Sequence, residues 1–259
     1  MAGSGRKQRR EVEREVGNEL DRRRRDRRHA EGAACEGEPR THLVVLIDRS
    51  GSMGVIADDV VDGFNHWLRE QQEVGGDAVV TLVYFDSVDL HDVVLDAVPV
   101  AEVLPLDHRS FTPRGATPLL DATHLVIRRA RQRERDRAAR GLPAEHVVVT
   151  TITDGHENAS TQRTIADIRR KVAKRERSGW TFAFLSAALD AYGEARSLGY
   201  RDGNIQSFAA DDQGVALAFS SLSQGTANLR VQRRSGSADD AGEVWGEDKP
   251  AESDRSGRR

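Results

Sequence analysis

Three short polar segments of the 259-residue chain carry the side chains that could do chemistry. Asp48-Arg49-Ser50-Gly51-Ser52 directly follows an aliphatic run, Gly115-Ala116-Thr117-Pro118 opens a helical pattern, and Thr153-Asp154-Gly155 follows a second aliphatic run. Their candidate ligands are two carboxylates, of Asp48 and Asp154, and three hydroxyls, of Ser50, Ser52 and Thr117, without histidine or cysteine. Such all-oxygen donor sets favour hard cations, so these segments predict a site for Mg²⁺ first, then Mn²⁺ or Ca²⁺.

Each segment, taken alone, also has an ordinary structural explanation. Asp, Ser and Gly are common turn residues, and Thr117 before Pro118 is typical of a helix start. The three segments occur in order, however, and each lies at the end of a predicted strand or at the start of a predicted helix. Chance explains that arrangement poorly. The candidate metal ligands are therefore Asp48, Ser50, Ser52, Thr117 and Asp154.

Aliphatic runs alternate with amphipathic stretches around these segments, and this alternation predicts the fold. The runs at 78–85 and 88–95 are separated by only two residues, which forces an antiparallel hairpin. The remaining pattern predicts a Rossmann-like open, mostly parallel sheet with one antiparallel edge strand and helices on both faces. Ligands of such sheets bind at the carboxyl ends of the strands, where the polar segments lie. Further strands are expected at 42–48, 145–153, 180–187 and 205–209, and helices at 55–73, 119–140, 161–177, 191–198 and 213–230.

Composition divides the chain into three parts. Residues 1–40 interleave Arg with Asp and Glu, which predicts a disordered or helical arm, whereas residues 41–232 contain the apolar runs and predict one domain. Residues 233–259 are rich in Gly, Ser and acids, which predicts a disordered tail. The Arg run at 22–28 and the basic half-helix at 128–140 raise nucleic-acid binding as an alternative, although acidic residues flank and dilute the arm.

Charge and composition narrow the class of protein. The net charge of −3 gives no overall reason to expect nucleic acid or an anionic membrane as a partner. The single cysteine, Cys35, excludes an internal disulfide and a cysteine-based zinc site. No run reaches the roughly 18 apolar residues of a membrane helix, and the first residues lack the apolar core of a secretory signal. We therefore expect a soluble, cytoplasmic protein.

The ordered motifs Asp48-x-Ser50-x-Ser52, Gly115-x-Thr117-Pro118 and Thr153-Asp154-Gly155 resemble the metal-ion-dependent adhesion site of von Willebrand factor A (vWA) domains. The likeness covers roughly residues 41–230 and is greatest to stand-alone bacterial members. It implies direct metal contacts from the hydroxyls of Ser50 and Ser52 and, in the ligand-competent state, of Thr117. Asp48 and Asp154 would act mainly through water or hydrogen bonds.

The same resemblance implies a non-catalytic module for protein–protein interaction. Its metal would bind an Asp or Glu side chain of a protein partner, and the bacterial members suggest an AAA+ ATPase or a stress-response assembly. An enzyme alternative uses Asp48 as the nucleophile of a Mg²⁺-dependent phosphoryl-transfer or hydrolytic reaction. Phosphatases of that kind need an Asp two residues on, where this chain has Ser50. The chain also lacks a Walker lysine and the other common catalytic motifs.

Overall fold

The centre of the molecule is a six-stranded sheet built from the aliphatic runs of the sequence. The structure, a computed structural model, describes residues 40–76, 78–235, 242–246 and 249–257. The strands are β1 (Arg40–Asp48), β2 (Ala78–Phe85), β3 (Asp92–Pro99), β4 (Glu145–Thr153), β5 (Thr181–Ser186) and β6 (Ile205–Ser207). Every residue of β2 and β5 is buried, because helices cover both faces of the sheet.

The strand order is β3-β2-β1-β4-β5-β6, and of the described strands only β3 runs antiparallel to its neighbour. β1 pairs in parallel with β2 on one side and with β4 on the other. The connections that leave β1 and β4 at their carboxyl ends therefore diverge, which opens a crevice between the two strand ends. The architecture predicted from the sequence is confirmed, and the crevice is where the polar segments were expected to meet.

Helices pack on both faces of this sheet. They are α1 (Ala57–Glu73), α2 (Leu119–Ala139), α3 (Ile165–Glu176), α4 (Ala191–Leu198), α5 (Asp212–Arg234) and α6 (Pro250–Gly257). Side chains of α1 and α5 pack in the core on one face, and side chains of α2, α3 and α4 pack in the core on the other. Trp67 of α1 is buried between α1 and α5, where its Nε1–H donates to Thr226 Oγ1 at 3.1 Å.

The hairpin between β2 and β3 differs in detail from the prediction. It is antiparallel as expected, but the second strand begins at Asp92 rather than at Val88. The Asp86 side chain accepts hydrogen bonds from the backbone N–H groups of Val88 and Asp89, at 2.7 and 2.8 Å. These bonds fold residues 86–89 into a turn, so the donors are lost to strand pairing. His91, expected on the strand, lies in the turn that precedes it.

The carboxyl-terminal segment also differs from the disordered tail expected at 233–259. In its described parts, α5 continues to Arg234 and α6 forms a short helix. Val244, Trp245 and Ala251 are buried against the α1–α5 side of the core. Three apolar side chains within a polar segment are enough to dock it, although its average composition does not reveal them. The predicted arm at 1–40 lies outside the described residues except for Arg40, which begins β1.

None of the helices in the described ranges combines the length and the apolar character that a membrane crossing requires.

Replacing Gly63 with alanine tests the packing of α1 against α5. A β-carbon at position 63 would overlap the Phe219 ring of α5. We expect Gly63→Ala to lower the free energy of unfolding by about 1–3 kcal/mol, measured by urea denaturation, because overpacking outweighs the better helix propensity of alanine. Adding Phe219→Leu should recover part of that loss. A single variant as stable as the wild type would contradict this packing.

Candidate metal site

The ends of β1 and β4 carry the two carboxylates of the predicted site. Asp48 is the last residue of β1 and is fully buried, whereas Asp154 follows β4 directly and is half-buried. The Thr153 hydroxyl donates to Asp48 Oδ2 at 2.7 Å, which joins the two strand ends by a side-chain hydrogen bond. The parallel pairing of β1 and β4 therefore brings together two residues that are 106 positions apart in the sequence (154 − 48).

A chain of hydrogen bonds connects four of the five predicted ligands. The backbone N–H of Ser50 donates to Asp48 Oδ1 at 2.7 Å. The hydroxyls of Ser50 and Ser52 are 3.1 Å apart, and Ser52 Oγ donates to Asp154 Oδ1 at 2.8 Å. Ser50 is buried, while Ser52 is exposed at the mouth of the crevice. The structure therefore places Asp48, Ser50, Ser52 and Asp154 around one small volume.

Thr117 is the fifth predicted ligand, and it faces the same volume from the start of α2. A β-carbon at Gly155 would lie 3.7 Å from both Ser52 Oγ and Thr117 Oγ1, so the two hydroxyls flank the same point. Thr117 is 2% exposed. Within the described part of the chain its hydroxyl makes no hydrogen bond. Its backbone N–H donates to Asn158 Oδ1 at 2.9 Å, and its carbonyl accepts from the Asn158 N–H at 3.1 Å. Thr117 is therefore a buried residue whose backbone is fixed and whose hydroxyl is available.

Backbone hydrogen bonds fix the Thr117 loop against the first loop. Gly51 N–H donates to the Gly115 carbonyl at 3.0 Å, and Arg114 N–H donates to the Arg49 carbonyl at 2.8 Å. Gly115 has a φ of +70°, a left-handed conformation that favours glycine. The glycine of the second polar segment thus has a conformational role, and it allows the two loops to approach closely enough for Thr117 to reach the site.

The sequence analysis missed Asp86, which holds two of these loops. Asp86 is fully buried and accepts hydrogen bonds from Arg49 Nε at 2.8 Å and Arg114 Nε at 3.1 Å. Burial alone would raise the pKa of Asp86, but hydrogen bonds from Asp89, Arg49 and Arg114 outweigh it and hold that pKa below its usual value. Arg49 also pairs with Asp92 at 2.7 Å. A signal was present, because Asp86 directly follows a buried strand, as Asp48 and Asp154 do.

The segment His156-Glu157-Asn158 follows Asp154 closely in the chain and supports the Thr117 side of the site. Glu157 is half-buried, and its carboxylate accepts from the Leu120 N–H at 2.8 Å, in the first turn of α2. Asn158 holds the backbone of Thr117. His156 is exposed and lies 3.4 Å from Glu194. Two of the three residues therefore position Thr117 and the start of α2.

Burial disfavours the ionised form of both carboxylates of the site. It raises the pKa of Asp48 to about 6, against hydrogen bonds from Thr153 and Ser50 that lower it, and the charge of Asp154 adds to the increase. Burial likewise raises the pKa of Asp154, against the hydrogen bond from Ser52. A cation at this point would favour both ionised forms.

The donor set fits a hard cation. It consists of two carboxylates that a positive charge would stabilise, two linked serine hydroxyls and one free threonine hydroxyl. No cluster of three or more His, Cys, Asp or Glu residues suited to a metal occurs among the described residues. A metal here would therefore depend on hydroxyls as much as on carboxylates, which favours Mg²⁺, Mn²⁺ or Ca²⁺ over a transition metal that prefers nitrogen or sulfur.

No protein-family model matches this chain, and no curated protein sequence matches it either. Several solved structures do match this chain in fold. The pilus adhesin SpaC from Lactobacillus rhamnosus GG, in its open conformation, superposes with a TM-score of 0.54 at 14% identity, covering 78% of this chain and 31% of SpaC. Proximal thread matrix protein 1 from the mussel byssus superposes with a TM-score of 0.51 at 13% identity, covering 72% of this chain and 47% of that protein. A von Willebrand factor type A structure from Catenulispora acidiphila has a TM-score of 0.41 at 16% identity, covering 76% of this chain and 43% of that structure.

These likenesses concern the fold. At identities of 13% and 14%, the two higher-scoring structures show a shared architecture and nothing further. The chain spans only 31% to 47% of the length of the three structures. The mostly parallel sheet with one antiparallel strand is the arrangement that the sequence predicts.

Replacing Asp48 with asparagine tests the cost of the buried charge. A pKa raised from 3.8 to about 6 means that the folded state binds the proton more tightly, so the group's contribution to stability falls as pH rises from about 4 to 6. In chelator at about pH 7.5, we expect Asp48→Asn to be more stable than the wild type by up to about 3 kcal/mol, converted at about 1.36 kcal/mol per pKa unit. The advantage should vanish below about pH 4. Urea denaturation across this pH range measures it.

The exposed Asp58 supplies a control for that variant. Asp58→Asn removes the same charge from the first turn of α1, where it also contacts His108, and should lower stability by no more than about 1 kcal/mol. An Asp48→Asn protein no more stable than the wild type at about pH 7.5 in chelator would contradict the account.

Replacing Asp86 with asparagine tests the buried ion pairs. Arg49 is only 6% exposed, so losing the carboxylate leaves a buried guanidinium with Asp92 alone. We expect Asp86→Asn to cost about 2–4 kcal/mol of unfolding free energy. The control, Asp92→Asn, removes the other partner of the same arginine, but that carboxylate is 40% exposed and its loss should cost less than about 1 kcal/mol. Equal losses in the two variants would show that Asp86 has no special role.

Proposed function

We propose that this chain is a non-catalytic, metal-dependent module that binds a carboxylate of a protein partner. The observation that supports it is the convergence of Asp48, Ser50, Ser52, Thr117 and Asp154 on one crevice at the switch point of the sheet. In this proposal the five residues form a metal-ion-dependent adhesion site of the vWA type, and Mg²⁺ is the cation, with Mn²⁺ or Ca²⁺ able to replace it.

The composition of the site explains why it would bind an acidic partner. Three hydroxyls would supply neutral oxygens, while both oxygens of Asp48 already accept hydrogen bonds from Ser50 and Thr153. A cation held in this way keeps much of its positive charge, and when bound it supplies a Lewis-acid centre that attracts an anionic oxygen. Ser52 and Asp154 lie toward solvent, so an incoming Asp or Glu side chain would approach on their side.

The enzyme alternative is disfavoured by the surroundings of Asp48. A nucleophilic carboxylate must present a free oxygen to its substrate. Asp48 is fully buried, and each of its oxygens accepts a hydrogen bond of 2.7 Å from the protein. We therefore propose that the site binds and does not turn over a substrate.

The structural neighbours support a binding role by analogy. SpaC is described as a pilus adhesin, and proximal thread matrix protein 1 has also been solved with zinc in its MIDAS motif. These are properties of those proteins. For this chain we extend the analogy to a stand-alone bacterial vWA protein of the cytoplasm, whose partner is an AAA+ ATPase or a component of a stress-response assembly.

Calorimetric titration of Mg²⁺ and Mn²⁺ tests the metal half of the proposal. The wild type should bind one ion, and Asp48→Ala and Thr117→Ala should each lose at least about tenfold in affinity, which is about 1.4 kcal/mol. Thr117→Ser keeps the hydroxyl and should retain most of the binding, and Asp58→Ala controls for the loss of a carboxylate outside the site. Negligible binding to the wild type, or unchanged affinity in Asp48→Ala, would remove the metal from the proposal.

Affinity capture tests the partner half. The full chain, immobilised with Mg²⁺, should retain a partner that elutes with chelator and that a Thr117→Ala column does not retain. Substituting the partner's candidate Asp or Glu with Asn or Gln should then abolish retention. A partner that remains bound in chelator, or that binds Thr117→Ala equally, would show that binding does not use this site.

A further inference from the structure

Two helices on one side of the sheet form a basic surface that the metal site does not use. α2 and α3 pack side by side over the same core, with Val126 and Ile127 of α2 near Ile168 and Val172 of α3. Many of their outward side chains are cationic. We call this surface the α2–α3 basic face, and it consists of Arg128, Arg131 and Arg135 of α2, Arg163 just before α3, and Lys171 and Lys174 of α3.

The spacing of these residues forms two adjacent rows. Arg128, Arg131 and Arg135 are three and four positions apart, so they lie along one side of α2 over about 10 Å, at about 1.5 Å per residue. Lys171 and Lys174 lie one turn apart on α3. Burial lowers the pKa of Lys171, and the positive charges of Arg163 and Arg131 lower it further. The row on α2 is therefore close enough to repel the cations around α3.

Three acidic residues of these helices have partners other than the cations of the face. Glu134 accepts a hydrogen bond from the Trp180 indole at 2.6 Å and lies 3.8 Å from Arg175. Asp167 caps the start of α3 and pairs with Arg170. Asp136 accepts from the side chain of its own helix neighbour Gln132. Within the described residues, none of the six cations of the face forms an ion pair.

We propose that the α2–α3 basic face binds the phosphate backbone of a duplex nucleic acid without reading its sequence. Guanidinium groups bind phosphate through paired N–H donors, and rows of such groups match a surface of regularly spaced anions. The face also lacks the apolar centre of a protein interface. Large exposed apolar side chains are absent from the described residues of α2, and Ile165 is the one on α3.

This surface is separate from the metal site. Thr117 lies at the start of α2, and Arg128 follows eleven positions later, which is about 16 Å along the helix. Backbone binding should therefore not require the metal. The sequence alone raised the basic half of this helix as a nucleic-acid contact. The structure adds the cations of α3, and it shows that the nearby acids are engaged elsewhere.

Fluorescence anisotropy of the full chain with a labelled duplex DNA of about 20 base pairs and random sequence tests the proposal. At about 50 mM salt we expect binding that weakens steeply toward about 200 mM and that chelator does not change. The variant Arg131→Gln/Arg135→Gln/Lys171→Gln should lose at least about tenfold in affinity, and its salt slope should fall by about 2 to 3. Circular dichroism and urea denaturation of each variant confirm that it is folded.

A charge-matched control separates this face from the charge of the whole chain. Arg69→Gln/Arg109→Gln/Arg140→Gln removes the same charge from exposed positions outside the face and should change affinity less than about twofold. Equal losses in the two triple variants, or an unchanged affinity in the face variant, would assign binding to general charge or to the arm at 1–40 and overturn the proposal. Binding to polyglutamate or to anionic vesicles but not to the duplex would overturn it as well.

Discussion

The hydrogen bond from Thr153 to the buried Asp48 carboxylate is the interaction on which the candidate site depends. It ties the ends of β1 and β4 at the point where the chain leaves in opposite directions. A buried carboxylate without a cation is costly, and the raised pKa of Asp48 expresses that cost. The fold tolerates it because the Ser50 backbone and the Thr153 hydroxyl satisfy both oxygens. The same arrangement leaves Ser52, Thr117 and Asp154 around one volume.

The loops that carry these residues are held by ion pairs, in which the carboxylate of Asp86 accepts from Arg49 and Arg114. Two arginines and two backbone donors surround Asp86 and hold its pKa below the usual value, whereas no cation in the described ranges forms an ion pair with Asp48. Two buried aspartates at the ends of adjacent strands thus differ in role. The charge of Asp86 is balanced by arginines and fixes loop positions, whereas the charge of Asp48 is held by neutral hydrogen-bond donors. Glu157 and Asn158 hold the start of α2 by hydrogen bonds to its backbone, as Asp86 holds the first two loops through Arg49 and Arg114.

The molecule also separates its charges in space, which a net charge of −3 conceals. The carboxyl edge of the sheet carries the hydroxyls and carboxylates of the candidate metal site. The outer side of α2 and α3 carries cations, while Glu134 accepts from the Trp180 indole and Asp167 caps the start of α3. A single long helix, α2, connects the two regions, since it begins at the site and ends in the basic face. The two proposed activities can therefore be removed independently by substitution.

The sequence by itself determined the order of the six strands, the five helices up to Arg234 and the five candidate ligands, because hydrophobic periodicity and turn chemistry are local. It also placed the polar segments at one edge, since parallel strands end together. Only the tertiary structure decided the rest. The pairing of Asp86 with Arg49 and Arg114, the docking of Trp245, and the nearness of Arg131 to Lys171 join residues far apart in the chain. Such contacts depend on how the elements pack, and no local pattern encodes them.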